Sequence, residues 1–456
     1  MSFGSLKSLF NPKSIAVIGA SDKQNRIGYQ VVHSLLLGKF PGPIYPINPR
    51  LKRLQDLPVF DSIEAVPYEV DLAIIVVRKD RVLQAIDACG RKGVGSAIVM
   101  SSGFSELGDV RTELELKKRV QKYGMRLLGP NCAGFASPWE QIYASFENRL
   151  QKGHLAFFSQ SGAMCAVVLA MARAVGLGFS MFVSYGNATD VGPEEVLQYF
   201  QTHEHTKLIG GYLEGVANAR QLLSIAHLIS PTKPIVVLKP GDTVAASRAI
   251  RTHTGAMAGK QVIYTGAFRQ AGILQVKTLD EFIDTCMILA TQPLPQGNRV
   301  GIVTNSGGPG VLAVDACAGA GLTVHPFPSH LVKQFEAFLP PVCPMENPID
   351  VGPEGSPEVY RKVTEMLLTN STIDMVLVLC VPTAFSDIRK ISKSLVTAKL
   401  ANPQKPLAAC LLAADIVEEG IPLLTKGSVA HFPTPKRAAL ALKFLYQRAS
   451  WLRTQE

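Results

Sequence analysis

One imidazole, His253, sits in Ser247-Arg-Ala-Ile-Arg-Thr-His-Thr-Gly-Ala-Met-Ala-Gly259, with Arg248 and Arg251 before it and Gly255 and Gly259 behind it. Small, polar and cationic residues in this order predict a mobile loop. The apolar run Pro234 to Leu238 ahead of it predicts a buried strand closed by Lys239-Pro240-Gly241, and Gln261 to Ala271 after it predicts a helix. Open α/β sheets collect ligands and chemistry at the carboxyl ends of their strands; the competing reading is a solvent-exposed loop histidine. A second candidate, Glu214, ends the apolar run Leu208 to Leu213. A carboxylate there would fix the tautomer of a neighbouring imidazole and favour its charged or phosphorylated form; alternatively it is a helix N-cap or a surface acid. The third is Ser159-Gln160-Ser161-Gly162, a small-residue junction between a strand and a helix. Backbone amides at such a turn approach an anion closely, and a phosphate there gains about 0.3–1 kcal/mol per helix dipole when exposed. The plainer alternative is a helix cap. A serine nucleophile is disfavoured, because no glycine stands two residues before the serine as in a hydrolase elbow.

The elements that must carry these residues repeat a strand-turn-helix rhythm. Ile15 to Ile18 runs into Gly19-Ala20-Ser21, then into a helix from Gly28 through Leu37. The spacing Gly-x-Ser-x6-Gly is not the dinucleotide fingerprint. Strands follow at Ile44 to Asn48, Asp71 to Val77, Ser96 to Met100 and Met125 to Leu128, and their ends carry Asn48-Pro-Arg50, Ser101-Ser-Gly103 and Gly129-Pro-Asn131-Cys132. Alternating strands and helices predict a parallel sheet with a ligand at one edge. No acid ends the second strand; Arg50, Lys52 and Arg53 stand there instead. That charge suits a phosphorylated ribose, as in NADP or coenzyme A, better than NAD.

From Gly153 the rhythm restarts, with His154 to Phe158, the Ser159–Gly162 turn and a helix from Ala163 to Ala174. Arg299 to Val303, Thr304-Asn-Ser306-Gly307-Gly308 and Val311 to Gly319 repeat it, and Asp190-Val-Gly-Pro-Glu194 recurs as Asp350-Val-Gly-Pro-Glu354. The predicted architecture is α/β, a Rossmann-like domain at 1–148 followed by two related flavodoxin-like parallel-sheet domains at 149–290 and 298–456, joined by a Pro/Gln/Gly linker at 291–297. The second copy has Leu379-Cys380-Val381 where the first has Glu214-Gly215, and it has no counterpart of His253. Acid and imidazole therefore belong to one sheet.

With 456 residues, 47% hydrophobic and 18% charged, the chain is long enough for about three layered domains. No apolar run reaches membrane-span length and no signal peptide is evident, so a cytoplasmic protein without membrane partners is expected. Eight cysteines without any Cys-x-x-Cys pair read as reduced, buried thiols and not as a metal site. The net charge of +10 points to anionic ligands. The basic residues are too dispersed for nucleic acid, since Lys117-Lys118-Arg119 lies in a helical pattern with Glu113 and Glu115.

The motifs in order resemble the α subunit of NDP-forming acyl-CoA synthetases, the succinyl-CoA synthetase superfamily. They are Gly19-Ala-Ser21, Gly129-Pro-Asn-Cys132, Ser159-Gln-Ser-Gly162, Glu214-Gly215 and Thr252-His-Thr-Gly-Ala256. The version with Thr304-Asn-Ser-Gly-Gly308 and Asn347-Pro-Ile-Asp350 is similar to the ADP-forming acetyl-CoA synthetase, over about residues 5–450. The resemblance implies that Gly19, Ser21, Asn48, Arg50 and Asn131 bind coenzyme A. It implies that His253 is phosphorylated and Glu214 orients it, and that Ser159, Gln160, Ser161, Gly162, Ser306, Gly307 and Gly308 bind phosphate. It implies interconversion of acyl-CoA, ADP and phosphate with carboxylic acid, coenzyme A and ATP, through acyl phosphate and phosphohistidine. The chain has no Gly-x-x-x-x-Gly-Lys-Ser loop. ADP or ATP with Mg2+ is therefore expected on an ATP-grasp β subunit, in an α2β2 heterotetramer. Two departures concern cofactor contacts: Arg78-Lys79 follow the third strand, and Arg50-Leu-Lys-Arg53 lacks glycine. The rival readings are a regulatory coenzyme A-binding protein on the same scaffold, which needs no phosphorylatable imidazole, and a dehydrogenase, which lacks its fingerprint.

Overall fold

Short aliphatic runs closed by glycine or polar turns become buried strands, and the amphipathic segments between them become covering helices. The computed structural model describes residues 6–147, 150–241, 243, 245, 246, 248, 261–413 and 417–455. It forms two compact units, Met1–Lys277 and Thr278–Glu456.

The first unit holds two large sheets and a two-stranded ribbon that pairs Arg53–Leu54 with Leu57–Pro58. Strands β1 (Ile15–Ile18), β2 (Ile44–Ile47), β3 (Leu72–Ile75), β4 (Ser96–Val99) and β5 (Arg126–Leu128) pair in the order β2-β1-β3-β4-β5, all parallel. Helices α1 (Ile27–Leu37), α2 (Lys79–Lys92) and α3 (Val110–Lys122) connect them. Gly19 turns the chain out of β1 at φ +96°, and a Cβ at Gly28 would stand 2.1 Å from the Gly19 carbonyl oxygen. Two glycines thus let α1 start directly against the turn.

The second sheet is seven-stranded. It begins with a hairpin of β6 (Gly134–Ser137) and β7 (Ile142–Ser145) and continues through β8 (Lys152–Ser159), β9 (Phe179–Ser184), β10 (Leu208–Tyr212), β11 (Ile235–Leu238) and β12 (Ile273–Val276). The order is β12-β11-β10-β8-β9-β6-β7. The five strands from β8 onward are parallel, and the hairpin pairs antiparallel onto β9. Its helices are α4 (Gly162–Ala174), α5 (Pro193–Thr202), α6 (Ala219–Ile229) and α7 (Gln261–Gln270). One continuous core joins both sheets, with Val31 and Leu35 of α1 clustered with Phe135 and Ile142 of the hairpin and Phe158 of β8. The hairpin lies before residue 148 in the chain yet pairs into the second sheet, where its apolar strands cover the open edge of β9.

The second unit has α8 (Leu279–Thr291), β13 (Val300–Thr304), α9 (Gly307–Gly319), β14 (Ile349–Asp350), α10 (Pro357–Thr369), β15 (Met375–Cys380), α11 (Ile388–Ala401), β16 (Leu407–Leu411), β17 (Ala430–His431) and α12 (Pro435–Arg453). Its parallel order is β14-β13-β15-β16-β17. Helix α8, expected within the middle segment, packs in this unit against α12, where Arg437 grips the buried Asp284 carboxylate at 2.7 and 2.8 Å.

The repeat inferred from sequence holds at the level of topology and of single side chains. Both β8–β12 and β13–β17 follow the 2-1-3-4-5 order of doubly wound sheets. Lys233, just before β11, caps the end of α5 through the carbonyls of Phe200, Gln201 and His203 at 2.8, 2.8 and 3.1 Å. Lys405, just before β16, does the same for α10 through Leu367 and Asn370 at 3.3 and 2.6 Å. In each copy a Lys-Pro pair therefore ends one helix and starts a strand. The shared Asp-Val-Gly-Pro-Glu pentapeptide, by contrast, occupies different places. Asp190 leads directly into α5 and pairs with Arg126, whereas Asp350 ends β14 and accepts from Gly352 N at 2.8 Å before a further turn to Ser356. Among the described residues no helix is long and apolar enough to cross a membrane.

Candidate active site

In the first unit, the carboxyl ends of strands from both sheets open onto one cleft of ≈ 1520 Å³. Its walls include Met100 beyond β4, Asn131 beyond β5, Gln160, Ser161 and Gly162 beyond β8, and Glu214 beyond β10. Strands β8 and β10 are adjacent and mark the point where the strand order reverses, the usual ligand position in such sheets.

The turn after β8 is built by its own serines. The buried Ser159 hydroxyl accepts from Ser161 N at 3.0 Å and donates to Ser161 O at 2.8 Å, so it shapes the turn and does not face the cleft. Ser161 Oγ caps α4 by accepting from Met164 N at 3.3 Å. Gln160 Oε1 accepts from the amides of both Glu214 and Gly215, at 2.6 and 3.0 Å. That use of the oxygen fixes the amide orientation, and Gln160 Nε2 is left without a partner among the described residues, at a residue lining the cleft. Two donors therefore stand beside the N-terminus of α4.

Glu214 is 7% exposed. Oε1 accepts from the Tyr212 hydroxyl at 3.1 Å, and Lys239 Nζ donates to the Glu214 carbonyl at 3.2 Å. Burial first, then the charge of Glu214, push the Tyr212 hydroxyl up and keep it a donor. Oε2 is buried and has no partner among the described residues. An acceptor-only oxygen in this state calls for a donor from elsewhere. The Tyr185 hydroxyl is likewise buried and unpartnered among the described residues, and burial, Glu194 and Glu214 raise it well above its ordinary range. Glu194, also lining the cleft, is raised by burial and then by Glu195. His253, the expected partner of Glu214, lies outside the described residues.

Asn131 sits at φ +58° and donates from Nδ2 to Asn187 Oδ1 at 3.3 Å. The segment carrying Asn187 runs along the end of β5. Asn187 N donates to Pro130 O at 3.0 Å, Thr189 N to Gly129 O at 3.2 Å and Val191 N to Leu127 O at 3.1 Å. Arg126 closes this seam on Asp190 at 2.8 Å and Glu195 at 2.6 Å. Cys132 beside it is buried and pushed up to about 12, a packed thiol and not a thiolate.

Gly19, Ser21, Asn48 and Arg50 gather at the ends of β1 and β2, apart from the walls just described. Asn48 Nδ2 donates to Ala20 O at 2.7 Å and Asn48 Oδ1 accepts from Arg50 N at 2.9 Å, tying the two loops together. The Arg50 side chain is exposed. Of the two unexpected basic residues, Lys79 is held by Asp109 at 2.5 Å, whereas Arg78 is exposed and reaches Asp80 at 3.2 Å.

Ser306, Gly307 and Gly308 belong to the second unit and open α9. Thr304 Oγ1 accepts from Ser306 N at 3.1 Å and donates to Ser306 O at 2.8 Å, reproducing the Ser159 turn. Asn305 takes the part of Gln160 by bonding Val381 N and O, both at 2.8 Å. Val381 stands where Glu214 stands, so this copy has the turn without the acid. Ser306 makes no side-chain cap, Pro309 has no N–H to cap, and Gly307 and Gly308 are exposed. Sequence reading missed Asn187, Tyr212, Lys239 and the stapling by Gln160; only Tyr212, two residues from Glu214 on the same strand face, carried a local signal.

Three family models match the chain: a CoA binding domain over residues 13–138, a succinyl-CoA ligase-like flavodoxin domain over 152–289 and a Ligase-CoA domain over 300–455. The α subunit of acetate–CoA ligase [ADP-forming] II from Pyrococcus furiosus is 36% identical over 97% of this chain and 98% of that protein. The acetate–CoA ligase [ADP-forming] of Methanocaldococcus jannaschii is 35% identical over 97% of this chain and 63% of that longer protein. A dinucleotide-forming acetyl-coenzyme A synthetase 1 from Ca. Korarchaeum cryptofilum, solved with phosphate and ADP, superposes with a TM-score of 0.93 at 36% identity, covering 99% of this chain and 98% of that one. By these matches and by its three doubly wound sheets, the chain belongs to the family of α subunits of ADP-forming acetate–CoA ligases.

Proposed function

We propose that the chain is the α subunit of an ADP-forming acyl-CoA synthetase, interconverting acyl-CoA, ADP and phosphate with a small carboxylic acid, coenzyme A and ATP. The observation that carries this reading is the pairing of opposites at one switch point. Gln160 Nε2 and the start of α4 offer donors, and the buried Glu214 Oε2, lacking a partner among the described residues, offers an acceptor. The donors suit inorganic phosphate and the acceptor suits an imidazolium N–H.

In the proposed sequence, phosphate held at Gln160, Ser161 and Gly162 attacks the acyl-CoA carbonyl, expelling coenzyme A thiolate and giving an acyl phosphate. His253 then takes the phosphoryl group and releases the carboxylate, while Glu214 holds the far nitrogen of the ring. Ser159 supports the turn from beneath. Gly19, Ser21, Asn48 and Arg50 take the nucleotide end of coenzyme A, and Asn131 its reacting end. Ser306, Gly307 and Gly308 form a second phosphate-binding start, matched to the first by the Thr304 turn. Phosphohistidine passes its group to ADP, which with its Mg2+ is assigned to an ATP-grasp β subunit in an α2β2 assembly of cytoplasmic location. Acetate is the acid named for the similar relatives and is assigned here on that likeness.

The test is incubation with acetyl-CoA and labelled phosphate, followed by mass spectrometry under alkaline conditions that preserve phosphohistidine. Label on the peptide containing His253, lost in His253→Ala with coenzyme A binding intact, is the expected result. Undiminished label in His253→Ala would refute the assignment.

A further inference from the structure

The side chain of Asn187 is surrounded by acceptors on one face. Its Nδ2 donates to Glu106 Oε2 at 2.7 Å, Glu113 Oε2 at 2.9 Å and Ser105 Oγ at 3.2 Å. Those carboxylates are themselves fixed. Glu106 accepts from the amides of Gly103 and Phe104, and Glu113 accepts from Ser105 N at 2.9 Å and Thr189 Oγ1 at 2.7 Å. An ionised carboxylate only accepts, so the amide of Asn187 has one permitted orientation, with its NH2 toward the acids. Its oxygen is thereby turned to Asn131 and accepts from Asn131 Nδ2 at 3.3 Å. The same logic then sets Asn131. With its NH2 on Asn187, its Oδ1 is the atom left without a partner among the described residues, at a residue that lines the cleft.

We propose that Asn187 is a positioning residue, through which Glu106 and Glu113 lock Asn131 so that its Oδ1 accepts from an N–H or S–H donor on the pantetheine arm of coenzyme A. This rests on the function proposed above and adds a polarity to the site: the Gln160 end donates, and the Asn131 end accepts. The backbone is arranged to the same purpose. Asn131 and Ala188 both hold left-handed φ, at +58° and +54°, and a Cβ at Gly186 would lie 2.2 Å from Pro130 O. Strained residues concentrated on two facing loops mark a geometry that the surrounding structure enforces.

Coenzyme A binding to the full chain, measured by calorimetry, tests the relay through a double-mutant cycle. Asn131→Ala and Asn187→Ala are each expected to weaken binding about tenfold, the worth of roughly one hydrogen bond. The double variant is expected to bind no more weakly than Asn131→Ala, because the contact being positioned is already gone. Losses that multiply in the double variant, or unchanged affinity in Asn187→Ala, overturn the proposal. Should Asn187→Ala fail to fold, Glu113→Ala carries the same cycle, since it removes the acceptor 2.9 Å from Asn187 Nδ2 and leaves Glu106 and Ser105 to hold that amide. It is expected to weaken binding about threefold with Asn131 present and not at all without it, and any other pattern counts against the relay. A wild-type chain that does not bind coenzyme A sinks the functional reading along with it, an outcome distinct from binding with multiplying losses, which sinks the relay alone.

Discussion

Glu214→Gln should make the first unit more stable and less active at once. The wild-type carboxylate is 7% exposed, and the Tyr212 hydroxyl reaches Oε1 while Oε2 is unpartnered among the described residues. Glutamine keeps an oxygen for Tyr212 to donate to, and its backbone amide stays on Gln160 Oε1. Only the charged oxygen is exchanged for a neutral NH2 of the same size. An unsatisfied buried polar group costs about 1–3 kcal/mol, and a charged one more. Replacing it with a neutral amide is therefore expected to add about 1–2 kcal/mol, a rise in unfolding midpoint of about 2–4 °C per kcal/mol for a unit of this size. The assay is thermal and urea unfolding of wild type and variant, with phosphohistidine formation followed in parallel. Greater stability with labelling reduced by at least tenfold would mark Glu214 as an acid kept for chemistry at a cost to the fold. A destabilised Glu214→Gln would refute the reasoning, because it would mean that Oε2 already holds a strong hydrogen bond in the free protein.

Gly28→Ala places a Cβ 2.1 Å from the Gly19 carbonyl oxygen and must push α1 off the turn, so a loss of about 1–3 kcal/mol and weaker coenzyme A binding are expected; retained affinity with lost stability would separate the helix start from the ligand. Burial pushes Lys405 and Lys399 down to about 8 in the folded second unit, against about 10.4 when unfolded. Between those values the unfolded chain holds more protons, so these groups make stability rise with pH across about 8 to 10.4. Stability of wild type minus Lys405→Met, measured from pH 7 to 10, should increase with pH, and a difference that is flat or falls would contradict the burial of that ammonium.

Much of the scaffold is legible in the chain because its causes are local. Apolar runs followed within a few residues by glycine specify β1, β8 and β13, and the repeated turn shows in the matching Ser159-Gln-Ser-Gly162 and Thr304-Asn-Ser-Gly307, where Ser159 and Thr304 make the same two bonds to the residue two ahead. The acid at the end of β10 and its absence after β15 are equally readable, since side-chain type at a strand end needs no tertiary knowledge. What sequence does not disclose is which distant groups meet. Gln160 looks like part of an anion turn, yet its oxygen serves the backbone of Glu214. Asn187 gains its meaning only from Glu106, Glu113 and Asn131, which are remote in the chain. The duplicated Asp-Val-Gly-Pro-Glu pentapeptide misleads for the same reason, for identical letters meet Arg126 in one copy and their own turn in the other.

The hairpin of β6 and β7 bears on inheritance. It belongs by chain order to the first sheet's segment, yet it completes the edge of the second sheet and shares a core with α1. Together with the seam from Leu127 to Val191 it makes the two layers one module that recombination cannot divide without exposing an unpaired strand edge. A break in the chain placed within the module would uncover the edge of β9, whereas one placed outside it would not. In the Methanocaldococcus jannaschii relative the segment similar to this chain makes up 63% of the longer protein and matches 97% of this chain, so the similarity runs across the whole module.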